Sequence, residues 1–275
     1  MDIDITKVKH VELEILKEFI RVCEELGLQW YAAYGTVLGA VRHKGFIPWD
    51  DDIDVLMPRK DYEVFCEKAQ GILKQEYFVQ TLATEKEYYN PFAKLRRTDT
   101  TFWEIGTKDD NINHGIYVDI FPLDGYPTNW LAEKRFMLKR IVYNNFLAQN
   151  GNLNELQGYR KYVAILYRLL KGTLTRKEAA MKKDRLAKEI PFEEAALVSC
   201  MVEDKPKAEA LPSSVYGEGT ELVFEDMNIR VPLEYEVYLR KMYGDYMQFP
   251  PEDERVPLHK CVLIDADKSY LEYHF

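Results

Sequence analysis

Four aspartates fall within five consecutive positions, and they constrain the fold more than any other feature of the chain: Asp50, Asp51, Asp52 and Asp54. Side chains of a β-strand point alternately to its two faces, so Asp52 and Asp54 are predicted to leave one face while Ile53 and Val55 enter the core. Grouping like charges beside a buried strand costs free energy unless a cation meets them. The fold must therefore place this strand where its carboxylates can bind a positive ion.

The carboxylates of this acidic segment match the hard oxygen ligands that Mg²⁺ and Mn²⁺ prefer, and Mg²⁺ usually completes its coordination with water and substrate phosphates. An EF-hand is excluded because the glycine and the final glutamate of that calcium loop are missing. Sugar transferases with an Asp-x-Asp motif place it after a nucleotide-binding half of about 100 residues, whereas a single predicted strand precedes it here. The remaining alternative is a solvated acidic loop.

A further carboxylate, Asp119, lies inside the otherwise apolar run of residues 115–121, which is typical of a buried strand. In isolation it is equally well explained as a structural carboxylate. Together with Asp52 and Asp54 it is predicted to form a catalytic set of metal ligands on adjacent strands, in which two carboxylates bind metal and the third ligates or accepts a proton. Asp124, just after this run, is expected to cap or orient the following turn.

Five positions are predicted to bind phosphates of a substrate. Gly35 and Thr36 follow a short predicted strand, where backbone N–H groups and the Thr36 hydroxyl can point at a phosphate. Arg42 can neutralise a diphosphate. Lys94 and Arg96 share one face of a predicted strand and can hold a donor phosphate or anionic groups of an acceptor. The alternatives are an ordinary turn for Gly35 and Thr36, an exposed basic turn for Arg42, and a solvated strand edge for Lys94 and Arg96.

Aromatic residues make up 13% of the chain, including 19 tyrosines, and could build a box for a quaternary ammonium group, although most are expected in the core. Trp49 is the aromatic candidate for substrate contact because it stands in a predicted loop beside the acidic segment. Asp51 is a further substrate-binding candidate. Either Asp51 or Asp119 can assist deprotonation of an acceptor, and the sequence leaves that choice open.

Hydrophobic periodicity predicts an α/β (α+β) fold with a mixed sheet and flanking helices, followed by a mainly helical C-terminal region. In the first part, helices are predicted over residues 11–26 and 37–42 and after Pro58, and strands over residues 28–34, 53–57, 77–82, 91–97 and 115–121. Beyond these, helices are predicted over residues 130–149, 158–170, 175–190 and 232–243, with a hairpin over 221–231 around Asn228. The change of pattern predicts a catalytic domain, residues 1–125, and an acceptor-shaping region, residues 126–275.

The net charge is −9 for 275 residues, and most of the excess acid lies in residues 1–125, which hold 23 Asp and Glu against 15 Lys and Arg. This balance argues against general nucleic-acid binding, which leaves a basic footprint. The four cysteines show no C-x-x-C spacing, so neither a zinc site nor a disulfide framework is expected. A reducing compartment fits this cysteine pattern best.

The chain shows no secretory signal and no run of about 18 apolar residues, which predicts a cytoplasmic protein. Contact with the inner face of the membrane stays open, because it needs only an amphipathic surface. One predicted helix is dense in basic residues: Lys177, Lys182, Lys183, Arg185 and Lys188. This helix is expected either to face solvent or to contact an anionic membrane or an anionic glycan.

Three motifs together carry a resemblance to a known family: Gly35-Thr36-x-Leu38-Gly39-Ala40-x-Arg42, residues 45–54 with Pro48-Trp49-Asp50-Asp51-Asp52-Ile53-Asp54, and Asp119-Ile120-Phe121-Pro122-Leu123-Asp124. With segments at residues 243–247 and 250–252, they are similar to the LicD family of phosphocholine transferases. The resemblance spans roughly residues 10–260, and the Pro-Trp-Asp-Asp-Asp-Ile-Asp string is its most specific part. The family tail often ends in paired histidines, whereas this chain has His259-Lys260.

The resemblance implies a nucleotidyltransferase-like fold, a divalent metal and an enzyme that uses a CDP-linked donor. The implied reaction moves phosphocholine from CDP-choline to a hydroxyl of an anionic or lipid-linked glycan, a teichoic acid or a lipopolysaccharide, and releases CMP. Two alternatives stay open: transfer of another alcohol phosphate, such as ribitol phosphate, from its CDP donor, and a non-catalytic module that binds choline or divalent ions. The presence of Asp52, Asp54 and Asp119 argues against the module.

Overall fold

A computed structural model describes residues 5–149, 152–257 and 259–273 of the chain. The α-helices found there are α1 (Ile5–Leu26), α2 (Tyr34–His43), α3 (Arg59–Lys68), α4 (Trp130–Gln149), α5 (Tyr159–Lys171), α6 (Arg176–Ala187), α7 (Pro206–Glu209) and α8 (Tyr235–Tyr243). The strands are β1 (Tyr31–Ala32), β2 (Asp54–Pro58), β3 (Tyr77–Gln80), β4 (Ala93–Arg97), β5 (Thr101–Glu104), β6 (Ile116–Gly125), β7 (Leu197–Ser199), β8 (Leu211–Pro212), β9 (Thr220–Phe224), β10 (Met227–Val231) and β11 (Cys261–Asp265).

The central sheet has the strand order β1-β2-β6-β4-β3, and β7 and β8 extend it from the end of β6. β2 and β6 run parallel, whereas the other pairs of this sheet are antiparallel. All ten residues of β6 are buried, as expected for a strand covered on both faces. The sheet is mixed and has helices packed against it, which confirms the predicted α/β class.

Helix α1 forms because its apolar residues recur at helical spacing. Val11, Ile15, Phe19 and Val22 are all buried in the core, where α1 packs against β4 and β6. Gly27 follows the last turn with a φ of +65°, the left-handed conformation that glycine adopts at a helix end without steric cost. This helix was predictable from local spacing alone.

Helix α2 begins earlier than predicted, and β1 is shorter. The predicted turn at Gly35-Thr36 is the first turn of α2, which starts at Tyr34 directly after β1. Ala33 occupies the N-cap position in extended backbone, its N–H donates to the Asp54 carbonyl at 2.9 Å, and its carbonyl accepts from Thr36 N–H at the same distance. Ala33 is therefore the single residue between β1 and α2, and its hydrogen bond to the Asp54 carbonyl joins this junction to β2.

Asp124 does not cap a turn, in contrast to the expectation from sequence. It is fully buried within β6, and both of its oxygens accept hydrogen bonds from Arg59, at 2.7 and 2.6 Å. Arg59 also donates to Asp184 at 2.8 Å. A charge buried on a strand needs such a partner, so this group ties β6 to α3 and α6.

The C-terminal part contains the predicted helices and hairpin, but it also supplies strands to the rest of the molecule. β7 pairs with the end of β6, and β11 pairs with β5, a pairing that the sequence pattern did not predict. The hairpin of β9 and β10 turns at Glu225-Asp226, with Glu225 at a φ of +55°, and not around Asn228. The division near residue 125 stays a prediction, and sheet and core both continue across it. Among the helices described, none is long and apolar enough to cross a bilayer.

Candidate active site

The site is organised where β2 and β6 run side by side. Asp54 is the first residue of β2 and pairs in register with Asp119 of β6, so the two carboxylates come from neighbouring positions on parallel strands. Thr36 supports this edge from α2, because its Oγ1 accepts a hydrogen bond from Asp54 N–H at 3.0 Å. Thr36 is itself buried, so its hydroxyl supports the backbone of Asp54 from within the protein.

The acidic segment folds back on itself just before β2. Carboxylate oxygens of Asp50, Asp51 and Asp52 lie within 4.8 Å of one another. Burial raises the pKa of Asp52 to about 7, with Asp50 as the next contribution, and burial together with Asp51 raises the pKa of Asp50 to about 6. Burial, then Asp52 and Asp119, hold the pKa of Asp54 well above its ordinary value. The segment is thus short of positive charge.

A hard divalent cation fits this donor set. Three carboxylates already lie close together, and oxygen is the donor that Mg²⁺ and Mn²⁺ select. The structure groups Asp52 with Asp50 and Asp51, whereas the sequence grouped it with Asp54 and Asp119. Asp52 precedes β2 instead of lying on it, and its carboxylate clusters with those of its neighbours in the chain. A metal held by Asp52, Asp54 and Asp119 stays a prediction.

Asp119 has a cation of its own. Lys94 of β4 pairs with Asp119 across the sheet, and its Nζ lies 2.9 Å from Asp119 Oδ1. Burial raises the pKa of Asp119, and the ion pair with Lys94 opposes that rise. The same ammonium lies 3.3 Å from the centre of the Tyr117 ring, a cation–π contact that fixes its position. The structure therefore brings the candidates Lys94 and Asp119 together.

Arg96 shares the face of Lys94 but is held by the protein. Its side chain is 1% exposed and donates to Gln80 Oε1 and to the Gly115 carbonyl, both at 2.6 Å. The guanidinium carbon lies 4.6 Å from the centre of the Tyr117 ring. Substrate binding by Arg96 stays a prediction, and its observed contacts are those of a residue that supports β4 and β6.

A cavity of about 620 Å³ opens onto the acidic segment. Its wall includes carboxylates, aromatic rings and one basic residue: Asp50, Asp52, Asp54 and Asp245, then Tyr34, Trp49, Tyr243, Tyr246 and Phe249, and Arg42. Gly35 also lines it, and a Cβ at this position would lie 2.3 Å from Asp50 Oδ2. Tyr34 has a φ of +42°, and its N–H donates to the Tyr238 hydroxyl at 3.0 Å. Gly35, Arg42 and Trp49 thus line one cavity with the carboxylates, and substrate binding by them stays a prediction.

Trp49 belongs to an aromatic and basic wall at one end of this cavity. The Trp49 and Phe249 ring centres are 6.2 Å apart. The guanidinium carbon of Arg42 lies 4.5 Å from the Phe249 ring centre, and that of Arg255 lies 5.5 Å from the Trp49 ring centre. Arg42 also donates to the Tyr246 carbonyl at 3.1 Å. The wall therefore offers both ring faces and guanidinium groups to a ligand.

Sequence reasoning assigned no role to three residues that meet the acidic segment. His259, before β11, contacts Asp51 through its backbone N–H and its Nδ1, each at 3.2 Å. Burial alone would lower the pKa of His259, but the hydrogen bond to Asp51 and the charge of Asp52 raise it to about 9. Lys9 of α1 donates to the Ile47 carbonyl at 2.9 Å and so holds the loop before the aspartates.

Glu12 of α1 is the third residue, and one of its oxygens is buried without a hydrogen-bond partner. Burial, followed by the charge of Asp52, holds the pKa of Glu12 well above its ordinary value. Glu12 stands on the apolar face of α1, so an acid at a core position was a signal available in the sequence. For His259 the signal was its place in the tail that resembles the family, but no local pattern links it to Asp51, because 208 positions separate the two residues.

The chain is similar to known proteins. Residues 27–149 match the nucleotidyltransferase domain of the LicD/FKTN/FKRP family. The chain is 27% identical over 252 residues to the lipopolysaccharide cholinephosphotransferase LicD of Haemophilus influenzae, covering 90% of this chain and 92% of that protein. It is 35% identical to an uncharacterised protein of Rickettsia typhi over 56% of this chain and 48% of that protein.

A more distant match is human FKRP, a ribitol 5-phosphate transferase, at 24% identity over 56% of this chain and 30% of that protein. Fold, site and matches define the chain as an enzyme of the phosphotransferase class. It contains a domain of the LicD family, which confirms the resemblance that its motifs carry.

Proposed function

We propose that this enzyme transfers phosphocholine from CDP-choline to a hydroxyl of a cell-surface glycan precursor, a teichoic acid or a lipopolysaccharide, with Mg²⁺ or Mn²⁺ as cofactor. In this reaction a bond forms between the acceptor oxygen and the choline-bearing phosphorus. The bond from that phosphorus to the CMP oxygen breaks, and CMP leaves. The proton of the acceptor hydroxyl passes to a carboxylate.

The observation that carries the proposal is the composition of the cavity wall. One cavity is lined by three carboxylates of the acidic segment, by Asp245 and by five aromatic residues. Phosphoryl transfer needs a cation beside the negatively charged group that is transferred. Clustered carboxylates can supply one by binding a divalent metal. A quaternary ammonium has no N–H to donate, so aromatic faces and a carboxylate are the groups able to hold it. The wall supplies both sets.

Asp50, Asp51 and Asp52 are the residues proposed to hold the metal, with Asp54 beside them at the start of β2. A metal bound there would supply positive charge to the phosphates and to the leaving CMP. The protein itself orients the ligands: Thr36 fixes the backbone of Asp54, Lys9 fixes the loop before Asp50, and His259 fixes Asp51.

Asp119 is proposed as the proton acceptor in preference to Asp51. The ion pair with Lys94, at 2.9 Å, favours the ionised form that a base requires. Asp51 instead accepts two hydrogen bonds from His259. Asp119→Asn is then expected to lower kcat and kcat/KM together while leaving donor affinity nearly unchanged, because its interaction is made in the transition state. Calorimetry with CDP-choline and steady-state kinetics separate the two effects, and normal turnover would return Asp119 to a structural role.

The second candidate donor is CDP-ribitol. The similarity to FKRP favours it, as do the guanidinium groups of Arg42 and Arg255 beside Trp49, which can donate to the hydroxyls of a polyol. Trp49→Ala should weaken CDP-choline by about thirtyfold if the ring holds the ammonium, and should hardly change the affinity for CMP. Equal losses for both ligands remove Trp49 from the choline site, and a wild type that prefers CDP-ribitol supports the second candidate.

The metal and the carboxylates are tested by CMP release from CDP-choline in the presence of a glycan acceptor. Asp52→Asn and Asp54→Asn should each abolish turnover with the fold intact, because each removes a charge without changing side-chain volume. The matched control is Asp109→Asn, an exposed aspartate outside the cavity. EDTA should stop the reaction, and Mg²⁺ or Mn²⁺ should restore it. Full activity of either site variant, or activity unchanged by EDTA, would contradict the metal assignment, and donor binding without turnover would indicate the non-catalytic module.

A further inference from the structure

Helix α5 presents an apolar stripe to solvent. Five large residues at helical spacing are exposed along it: Tyr159 63%, Tyr162 74%, Leu166 57%, Leu169 79% and Leu170 70%. Their positions recur every three or four residues, so they form one continuous face. A helix on the surface of a folded protein usually turns such a face toward the core. Here the face points outward.

The other side of α5 packs on the protein. Ala164 is buried there, and the Tyr167 ring meets Tyr143 of α4 with centres 6.3 Å apart. The guanidinium carbon of Arg168 lies 5.3 Å from the centre of the Phe146 ring, also on α4. The orientation of α5 is therefore set by its contacts with α4, and the outward stripe is a consequence of that packing.

The charge of α5 is opposite in sign to the net charge of the protein. The helix carries four basic residues and no acidic residue, within a protein of net charge −9. Arg160, Lys161 and Lys171 have no ion-pair partner in the part of the chain that the structure describes. The stripe is thus accompanied by positive charge that nothing described on the protein neutralises.

We propose that α5 docks this enzyme on an anionic membrane surface, with the stripe inserted at the boundary between headgroups and acyl chains. The basic residues of α5 lie on the side of the helix away from the stripe. An apolar face opposed by a face rich in lysine and arginine is the composition of an interfacial helix, since burial of the apolar residues and attraction to anionic lipids act together. The two tyrosines have rings that bury and hydroxyls that stay in the headgroup layer.

Charge distinguishes a membrane from a second copy of the chain as the partner. A dimer formed through the stripe would set two helices of like charge, with four basic residues each, side by side. An anionic lipid surface neutralises the same residues. The membrane is therefore the partner that satisfies the apolar and the basic groups at once.

The basic segment around α6 was predicted either to face solvent or to contact an anionic membrane or glycan, and three of its basic residues are engaged within the protein. Lys177 donates to the Glu85 carbonyl at 2.6 Å, Lys183 is buried, and Lys188 pairs with Glu63 at 2.7 Å. Contact with a membrane is therefore proposed for α5 and not for α6. The inference rests on α5 alone and holds whichever donor the active site uses.

The test is sedimentation of the full chain with vesicles of phosphatidylcholine, and with vesicles that contain phosphatidylglycerol in equal part. Binding is expected to the anionic vesicles and to weaken as salt rises. Replacing both Leu166 and Leu169 by Gln should weaken binding by about tenfold per residue, and Arg160→Gln or Lys171→Gln by about fivefold each. Leu271→Gln is the matched control, because this leucine is 69% exposed outside α5 and should bind as the wild type does.

Absence of binding to the anionic vesicles would overturn the proposal, as would binding that the double leucine variant leaves unchanged. Analytical ultracentrifugation supplies the other decisive outcome: a dimer that the double leucine variant dissolves would assign the stripe to a second copy. Far-UV circular dichroism checks that each variant is folded. Vesicle binding is measured without donor or acceptor, so its failure and a failure of CMP release with a soluble glycan are separate results.

Discussion

Gly35 is in close contact with the acidic segment, and this contact leaves no room for a side chain. An added Cβ would lie 2.3 Å from Asp50 Oδ2, so Gly35→Ala must displace the Asp50 carboxylate. Gly35 stands in the first turn of α2 without a left-handed φ, and alanine favours helix, so the backbone should tolerate it. We expect kcat/KM to fall by about a hundredfold with little loss of stability, because shifts of about 1 Å in a catalytic group have effects of that size.

The control for Gly35→Ala is Gly106→Ala, since an added Cβ at Gly106 meets nothing within 4 Å. Steady-state CMP release and urea unfolding of both variants make the comparison. Wild-type kinetics in Gly35→Ala would mean that Asp50 is free to move and has no part in the reaction. A large loss of stability would mean that α2, and not the carboxylate, carries the effect.

What the sequence reveals about single residues depends on how local their contacts are. The alternation of Asp52, Ile53 and Asp54 is visible in three positions. Asp54 begins the buried strand β2, whereas Asp52 precedes that strand and does not lie on it as predicted. The partner of Asp119 depends on the register of β4 against β6, which sets Lys94 opposite it. No short pattern encodes that register, nor the approach of His259 to Asp51.

At the scale of elements, the buried group of Arg59, Asp124 and Asp184 links β6, α3 and α6. Asp124→Asn removes the charge that neutralises Arg59 in a site closed to water, and we expect it to lower the free energy of unfolding by about 3–5 kcal/mol. Asp226→Asn is the matched control, because Asp226 pairs with Lys17 at the same 2.6 Å separation but is 64% exposed. It should lower the free energy of unfolding much less than Asp124→Asn does, because water and salt screen an exposed pair.

Urea unfolding at neutral pH measures both changes. A cost of Asp124→Asn no larger than that of Asp226→Asn would show that water reaches Arg59 and that the group is not closed. The two-state test of coincident fluorescence and circular dichroism transitions should accompany it, because a partial loss of α6 packing would separate the two signals.

Lys183 of α6 predicts a pH dependence of stability. It is buried beside a small cleft with Glu203 and Asp204, and Arg140 of α4 adds like charge. Burial, and then Arg140, lower the pKa of Lys183 from 10.5 to about 8. Between these values the unfolded chain binds the proton more tightly than the folded chain, so stability rises with pH in this window. Below it, the buried charge costs on the order of 3 kcal/mol.

Lys183→Met should therefore flatten the rise of stability between pH 8 and pH 10.5, whereas Lys134→Met, an exposed lysine of α4, should leave it as in the wild type. Urea unfolding at several pH values across the window gives the slopes. Parallel curves for the wild type and Lys183→Met would show that Lys183 titrates alike in both states. Other groups titrate in this range too, and the difference between the curves isolates Lys183.

Helices and strands were predictable from the sequence where their pattern of apolar residues is long. Where that pattern is short, the prediction failed or gave the wrong ends. The spacing of apolar residues gave α4, α5 and α6 nearly to their ends, whereas α1 begins at Ile5, before the predicted start at Val11. The capping box of Thr175 and Glu178 marks where α6 begins. The β5 and β11 pair was missed because β11 has five residues, none of them buried, and lacks an apolar alternation. The early start of α2 was missed because it depends on a hydrogen bond to Asp54, a tertiary contact.

At the scale of the whole molecule, the segment from residue 259 onward completes the site. β11 pairs with β5, and Ser269 and Tyr270 continue along the same edge with hydrogen bonds to Thr98 and Thr100. A chain that ends at residue 257 lacks both β11 and His259, and we expect activity to fall by about a hundredfold or more while the central sheet stays folded. A chain that ends at residue 266 keeps both and should stay within about tenfold of full activity.

Circular dichroism and thermal unfolding of the two shortened chains separate loss of the site from loss of the fold. Because β5 and β11 form a sheet apart from the central one, helix content should change little in either chain. Equal activity of the two chains would show that His259 and β11 do not support Asp51. Unfolding of the chain that ends at 257 would make β11 a part of the core structure instead.

The pairing of His259 with Asp51 also sets an order of events during synthesis. The carboxylates of residues 50–54 and 119 leave the ribosome well before His259, so a growing chain that has not reached residue 259 exposes an acidic segment that lacks its histidine partner. Bringing together two residues that are 208 positions apart costs chain entropy, and the pairing of β11 with β5 offsets that cost. A growing chain without β11 should consequently be inert toward nucleotide donors, and catalytic competence should arrive in one step, when β11 pairs with β5.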